Sequence, residues 1–113
     1  MPTEKLKLKI PEPLEKDIQS SIIEYLEAKR IFCWKEHSGG MPMDGGKFMM
    51  PIGMKGKCDI LGVLPGGRFL GVEVKRPSGK VSPYQEEFIQ NVNLAGGLAF
   101  VATSIDDLVA RGI

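Results

Sequence analysis

Leu14, Ile18, Ile22 and Leu26 recur at every fourth position, with Ile23 and Tyr25 widening the stripe, so residues 13–30 read as an amphipathic helix opened by Pro11 and Pro13. Upstream, Lys5 to Ile10 alternates lysine with Leu or Ile, which fits either a half-buried strand whose outer lysines discourage edge pairing or a loose basic arm over residues 1–11. Ile31 to Lys35 is apolar and aromatic enough for a strand. Residues 39–57 then become rich in Gly, Met and Pro with no sustained period, which predicts a long loop. Cys58–Leu64 and Phe69–Lys75 are two strand-like runs joined by Pro65-Gly66-Gly67-Arg68, a hairpin connection. Ser82-Pro83-Tyr84-Gln85 supplies an N-cap serine, a proline at the first helical position and a glutamine three residues after the cap. Phe88, Ile89, Val92 and Ala95 form the apolar face of that helix, and Gly96-Gly97 ends it. Leu98–Ala102 reads as a short buried strand, and Ser104 with Asp107 has capping-box spacing before a last helix. The order α-β-β-β-α-β predicts an α/β fold, a central mixed sheet flanked by helices. No repeat or linker divides residues 1–113, so one domain is expected.

Composition changes this picture little. With 42% apolar and 26% charged residues the chain is an ordinary globular protein, and neither a signal peptide nor a membrane span is evident, so an intracellular, cytoplasmic location is expected. Cys33 and Cys58 lack metal-binding spacing and lie in apolar stretches, as free buried thiols do. The formal charge of +1 is uninformative, but its distribution is not. Lys47, Lys55, Lys57, Arg68, Lys75, Arg76 and Lys80 face only Asp59 and Glu73 within one segment, leaving the rest of the chain net acidic. Such a segment can attract a polyanion, with Lys55, Lys57, Arg76 and Lys80 as phosphate contacts, although charge runs are more often plain solvated surface.

The chemistry concentrates on the predicted hairpin. Alternation sends Val72 and Val74 to one face of the strand and Glu73 and Lys75 to the other. If Pro65-Gly66-Gly67 is a three-residue loop, Leu64 pairs with Arg68 and Asp59 falls opposite Glu73 on the same face. Two facing carboxylates repel unless a cation lies between them. Mg²⁺ suits such a place, because it is held by one or two carboxylates plus waters and substrate phosphate. Lys75 would then position or activate the attacking water and neutralise the phosphate. Read alone, Glu73-Val74-Lys75 is also a common exposed ion pair.

Gly56-Lys57-Cys58-Asp59-Ile60 followed by Glu73-Val74-Lys75, within that order of elements, resembles the PD-(D/E)XK nucleases. Within that superfamily the chain is similar to the virus-type replication-repair nuclease (VRR-NUC) domain, over about residues 12–103. The resemblance implies a restriction-endonuclease-like αβββαβ core and a site built from Glu15, Asp59, Glu73, Lys75 and Gln85, with Glu15, Asp59 and Glu73 as metal ligands. Cys58 departs from the pattern, since a proline commonly precedes the aspartate. Glu15 is alternatively a first-turn carboxylate near a helix N-terminus, and Gln85 the capping partner of Ser82, a role compatible with the first. His37, the only histidine, reads as a surface or substrate-contact residue, and Trp34 as core.

The expectation is therefore a DNA endonuclease dependent on Mg²⁺ or Mn²⁺, with the resemblance pointing to branched substrates such as four-way junctions. A homodimer is expected, joined through Leu6, Leu8 and Ile10 or through the methionine-rich stretch from Met41 to Met54. The rivals are a DNA-binding module on the same fold without cleavage and a regulatory domain that binds protein.

Overall fold

The computed structural model describes residues 11–36, 41–42, 48–49 and 55–113. Helix α1 (Glu15–Ala28) buries Ile18, Ile22 and Leu26, three of the four positions in the predicted stripe. Leu14 is instead the N-cap, in extended conformation and 48% exposed, because the helix begins one residue later and carries Leu14 off its inner face. Strand β1 (Phe32–Lys35) follows. The predicted loop is interrupted by two-residue strands β2 (Met41–Pro42) and β3 (Phe48–Met49), which pair antiparallel with each other. The remaining elements are β4 (Ile60–Val63), β5 (Phe69–Val74), α2 (Pro83–Leu94), β6 (Leu98–Ala102) and α3 (Ile105–Val109).

The main sheet has the order β1-β4-β5-β6. The first two pairings are antiparallel and the third, β5 with β6, is parallel, so the sheet is mixed as expected. Strand β5 is buried along nearly its whole length, with helices on both sides. On one face Ile60, Leu70, Val72, Val74, Phe100 and Ala102 join Ile18, Ile22 and Leu26 of α1 and Leu108 of α3 in the main core. On the other, Cys58, Leu61 and Ala99 meet Trp34 and the Phe88, Ile89 and Val92 side of α2. Ala95 is exposed at the C-cap and does not extend that face.

The β4–β5 register is fixed by its turn. Leu64 N–H donates to Arg68 C=O (2.8 Å), and Gly66 and Gly67 both take positive φ (95° and 94°), which side-chain-bearing residues avoid. The pairs Val63↔Phe69 through Ile60↔Val72 follow, and the next step along this register is Asp59 against Glu73. At the α2 end, Ser82 and Gln85 form the predicted capping box. At α3 the expected box is not formed: Ser104 is the N-cap but makes no side-chain bond. Asp107 reaches one residue further back, accepting the Thr103 N–H at 2.8 Å.

Lys5–Ile10, His37 and most of the Met41–Met54 stretch lie outside the described residues. Among the described residues no helix is long and apolar enough to cross a membrane.

Gly56 makes the tightest backbone approach near the sheet's functional end. Its φ is +79°, and an added Cβ would lie 2.3 Å from the Tyr84 carbonyl oxygen in the first turn of α2. Gly56→Ala is expected to cost on the order of 1–3 kcal/mol of unfolding free energy, read from denaturant midpoints, because strain and overlap add.

Candidate metal and nuclease site

Asp59, Glu73, Lys75 and Gln85 come together where β4 begins, β5 ends and α2 starts. Asp59 lies just before β4, and its Oδ2 accepts the Val74 N–H at 2.9 Å, closing the ladder with a side chain where backbone pairing stops. Its own carbonyl oxygen accepts the Glu36 N–H (2.8 Å) and the Gln19 amide (3.5 Å), so three elements hold this one residue.

Glu73 points to the α2 face while its neighbours Val72 and Val74 fill the main core. It is 1% exposed. Its Oε2 accepts from the Gln85 amide at 3.0 Å and lies 3.5 Å from the Lys75 Nζ, whereas Oε1 is buried with no partner. Burial first, then the hydrogen bond and charge of Asp59, push the Glu73 carboxyl up to about 8, with Lys75 pulling the other way. Without a cation this is a carboxyl pair sharing a proton.

Gln85 does two jobs at once. Its amide oxygen accepts the Ser82 N–H (2.9 Å), which turns the amide nitrogen toward Glu73 and fixes which end of the amide faces the carboxylate. The helix cap is thereby also the clamp on Glu73.

Cys58 precedes Asp59 and is wholly buried between the sheet and α2. Burial first, then the charges of Glu73 and Asp59, push its thiol up to about 12, so it stays protonated and packs as a small apolar group. Cys33 is also free but only half-buried.

Glu15 is exposed on the first turn of α1, and among the described residues no three of His, Cys, Asp and Glu gather in metal-binding geometry. Gln19, one turn further along α1, makes the helix's contact with Asp59 instead. The pattern of apolar positions gave no sign of this polar edge.

The donor set suits a small hard cation. Glu73 Oε1, to which no group donates, and the converging Asp59 carboxylate offer two oxygens that share a proton when no cation is present, and they match the one or two carboxylates Mg²⁺ uses when waters and a phosphate complete its shell.

The basic segment divides. Lys57 pairs with Glu36 at 2.8 Å, Arg76 with Glu12 at 3.4 Å, and Arg68 bonds the Gly96 and Gly97 carbonyls at the opposite end of the sheet. Lys55 sits over the exposed Tyr84 ring, 4.3 Å from its centroid, beside Gln85. Lys80 is exposed.

A family model described as the VRR-NUC domain matches residues 50–106, half of the chain. The chain belongs to the VRR-NUC family. Membership implies a nuclease-type function with DNA as substrate. The matched span contains Asp59, Glu73, Lys75 and Gln85, while Glu15 and Gln19 precede it. Comparisons with curated proteins and with solved structures returned no match.

The raised Glu73 carboxyl carries a stability signature. Unfolded, it ionises near 4.5, but folded it keeps its proton to about 8, so the unfolded chain binds fewer protons in between. The contribution of Glu73 to the stability of the metal-free protein is therefore fully present below 4.5 and is lost as pH rises toward about 8. Chemical denaturation across that range is expected to show a downward component no steeper than about 1.4 kcal/mol per pH unit, absent in Glu73→Gln.

Proposed function

We propose that this VRR-NUC domain is a divalent-metal-dependent endodeoxyribonuclease that hydrolyses phosphodiester bonds at Asp59 and Glu73. The observation that carries the reading is the buried Glu73 carboxyl, held against the partly buried Asp59 with one oxygen that receives no donor, an arrangement whose desolvation cost a cation would offset. Asp59 and Glu73 would hold Mg²⁺ or Mn²⁺, and Glu15, exposed on the first turn of α1 and not gathered with them, is left out of that set. When bound, such an ion acidifies a coordinated water and offsets charge on the phosphodiester. Lys75 Nζ, tethered near Glu73 and partly exposed, orients the attacking water and neutralises a non-bridging phosphate oxygen. Gln85 keeps Glu73 from turning away. Lys55, Lys80 and Arg76 follow the DNA backbone on either side, and His37 is a further substrate contact.

The finer proposal is a structure-specific enzyme acting on branched DNA as a homodimer. One site of this size cuts one strand, and paired cuts in a symmetric junction need two sites related by a two-fold axis.

The test is purified protein with linear, flap and four-way DNA in Mg²⁺, Mn²⁺ or EDTA. Cleavage is expected only with metal, greatest on four-way DNA, and lost in Asp59→Asn and Glu73→Gln, both of which stay folded. Lys75→Ala is expected to lower turnover at least ~100-fold while moving affinity only about twofold, since one cation among many adds little to binding. Light scattering on the same samples is expected to give twice the chain mass. Full cleavage in EDTA would end the metal reading. Metal-independent binding with no cutting would favour the binding-module rival.

A further inference from the structure

Directly after Lys75 the chain turns through Arg76-Pro77-Ser78-Gly79, closed by the Gly79 N–H on the Arg76 carbonyl at 2.8 Å. Proline at the second position and glycine at the fourth suit that turn. The closing bond uses the Gly79 N–H and leaves the Ser78 N–H free of backbone partners. A carboxylate from far along the chain takes it: Glu12 Oε1 accepts the Ser78 N–H at 2.8 Å, and Oε2 accepts the Ser78 hydroxyl at 2.7 Å and lies 3.4 Å from Arg76 Nη2.

This is an anion seat of backbone N–H, hydroxyl and guanidinium, and a carboxylate fills it incompletely. Arg76 Nε is buried and has no hydrogen-bond partner. A planar carboxylate already committed to Ser78 reaches only one nitrogen of the guanidinium. A tetrahedral phosphate has oxygens enough to take both Ser78 donors and the Nε–Nη2 edge together. The plug is also rigidly presented, since Pro11 and Pro13 flank Glu12 and restrict its backbone to extended conformations. It remains partly exposed, as does Arg76, so it can be displaced from outside.

We propose that Arg76 and Ser78 form a seat for a DNA backbone phosphate one residue beyond Lys75, and that Glu12 occupies it as a built-in competitor until substrate arrives. The DNA assignment rests on the nuclease reading; the anion seat itself does not. Its role in the enzyme would be to place the phosphate neighbouring the scissile one, at the cost of expelling Glu12. Selection follows, because a single weakly held phosphate displaces the carboxylate poorly and a strand anchored at several points displaces it well.

Two arms test this. In the first, inorganic phosphate is titrated while the Ser78 amide resonance is followed. Glu12→Gln is expected to saturate at about two- to fivefold lower phosphate than the wild type, the range an exposed ion pair supports. Adding Arg76→Ala to that variant is expected to abolish the shift. In the second, duplex DNA binding is measured without divalent metal against salt. Glu12→Gln is expected to bind tighter with a salt slope steeper by about one, a gain lost in the double variant. Equal phosphate midpoints in wild type and Glu12→Gln, or a gain in DNA affinity that survives loss of Arg76, would overturn the proposal, the latter because it reports only the loss of a negative charge. A protein that never cuts DNA but shows the phosphate-dependent Ser78 shift keeps the seat and loses the nuclease reading. One that cuts without the shift does the reverse.

Discussion

Two carboxylates forced together at the edge of a buried layer are the constraint around which this fold is arranged. The β4–β5 turn sets the register, and the register leaves Asp59 beside Glu73 at the point where backbone pairing ends. Neither can retreat. Asp59 is pinned by the Val74 N–H and through its own carbonyl to Glu36, while Glu73 is pinned by Gln85 and enclosed by α2. Like charges so confined have two ways out, a shared proton or a shared cation. At neutral pH without metal the first applies, with Glu73 held up to about 8. The second is what would make the site chemically useful.

The surrounding residues serve that confinement more than they serve general stability. Gln85 joins helix capping to carboxylate clamping. Gly56 lets the chain pass close enough to the start of α2 for Cys58 and Asp59 to meet the sheet. Cys58 contributes volume to the α2-side core and no reactive thiolate. The positive charge that looked continuous in the sequence is neutralised in place at two points, by Glu36 at Lys57 and by Glu12 at Arg76. Lys75, 15% exposed with Glu73 as its ion-pair partner, is the cation left facing the carboxylates.

Local signals predicted the parts of the site that depend on local geometry. A three-residue loop with two glycines allows one hairpin register, and period-two alternation then assigns faces, so the sequence alone brings Asp59, Glu73 and Lys75 together. The Ser82–Gln85 spacing likewise announced a capped helix. Contacts between segments distant in sequence were not legible. Glu12 meets Ser78 across 66 residues, and Gln19 meets Asp59 across 40, distances over which neither periodicity nor capping rules carry information. Leu14 and Ala95 failed for a different reason: both sit at helix ends, where a shift of one residue turns an apparent core position outward. At Ser104 and Asp107 the spacing was right but Thr103 offered the carboxylate a competing donor.

The central claim, that Asp59 and Glu73 are a cation site held ready by a shared proton, is tested most directly by calorimetric titration of Mn²⁺ into the DNA-free protein near pH 7 in buffers of different ionisation enthalpy. Saturable binding with release of about one proton is predicted for the wild type, because the metal must replace the proton on Glu73, with both binding and proton release lost in Glu73→Gln. Binding of undiminished affinity in that variant, or wild-type binding that releases no proton, would contradict it.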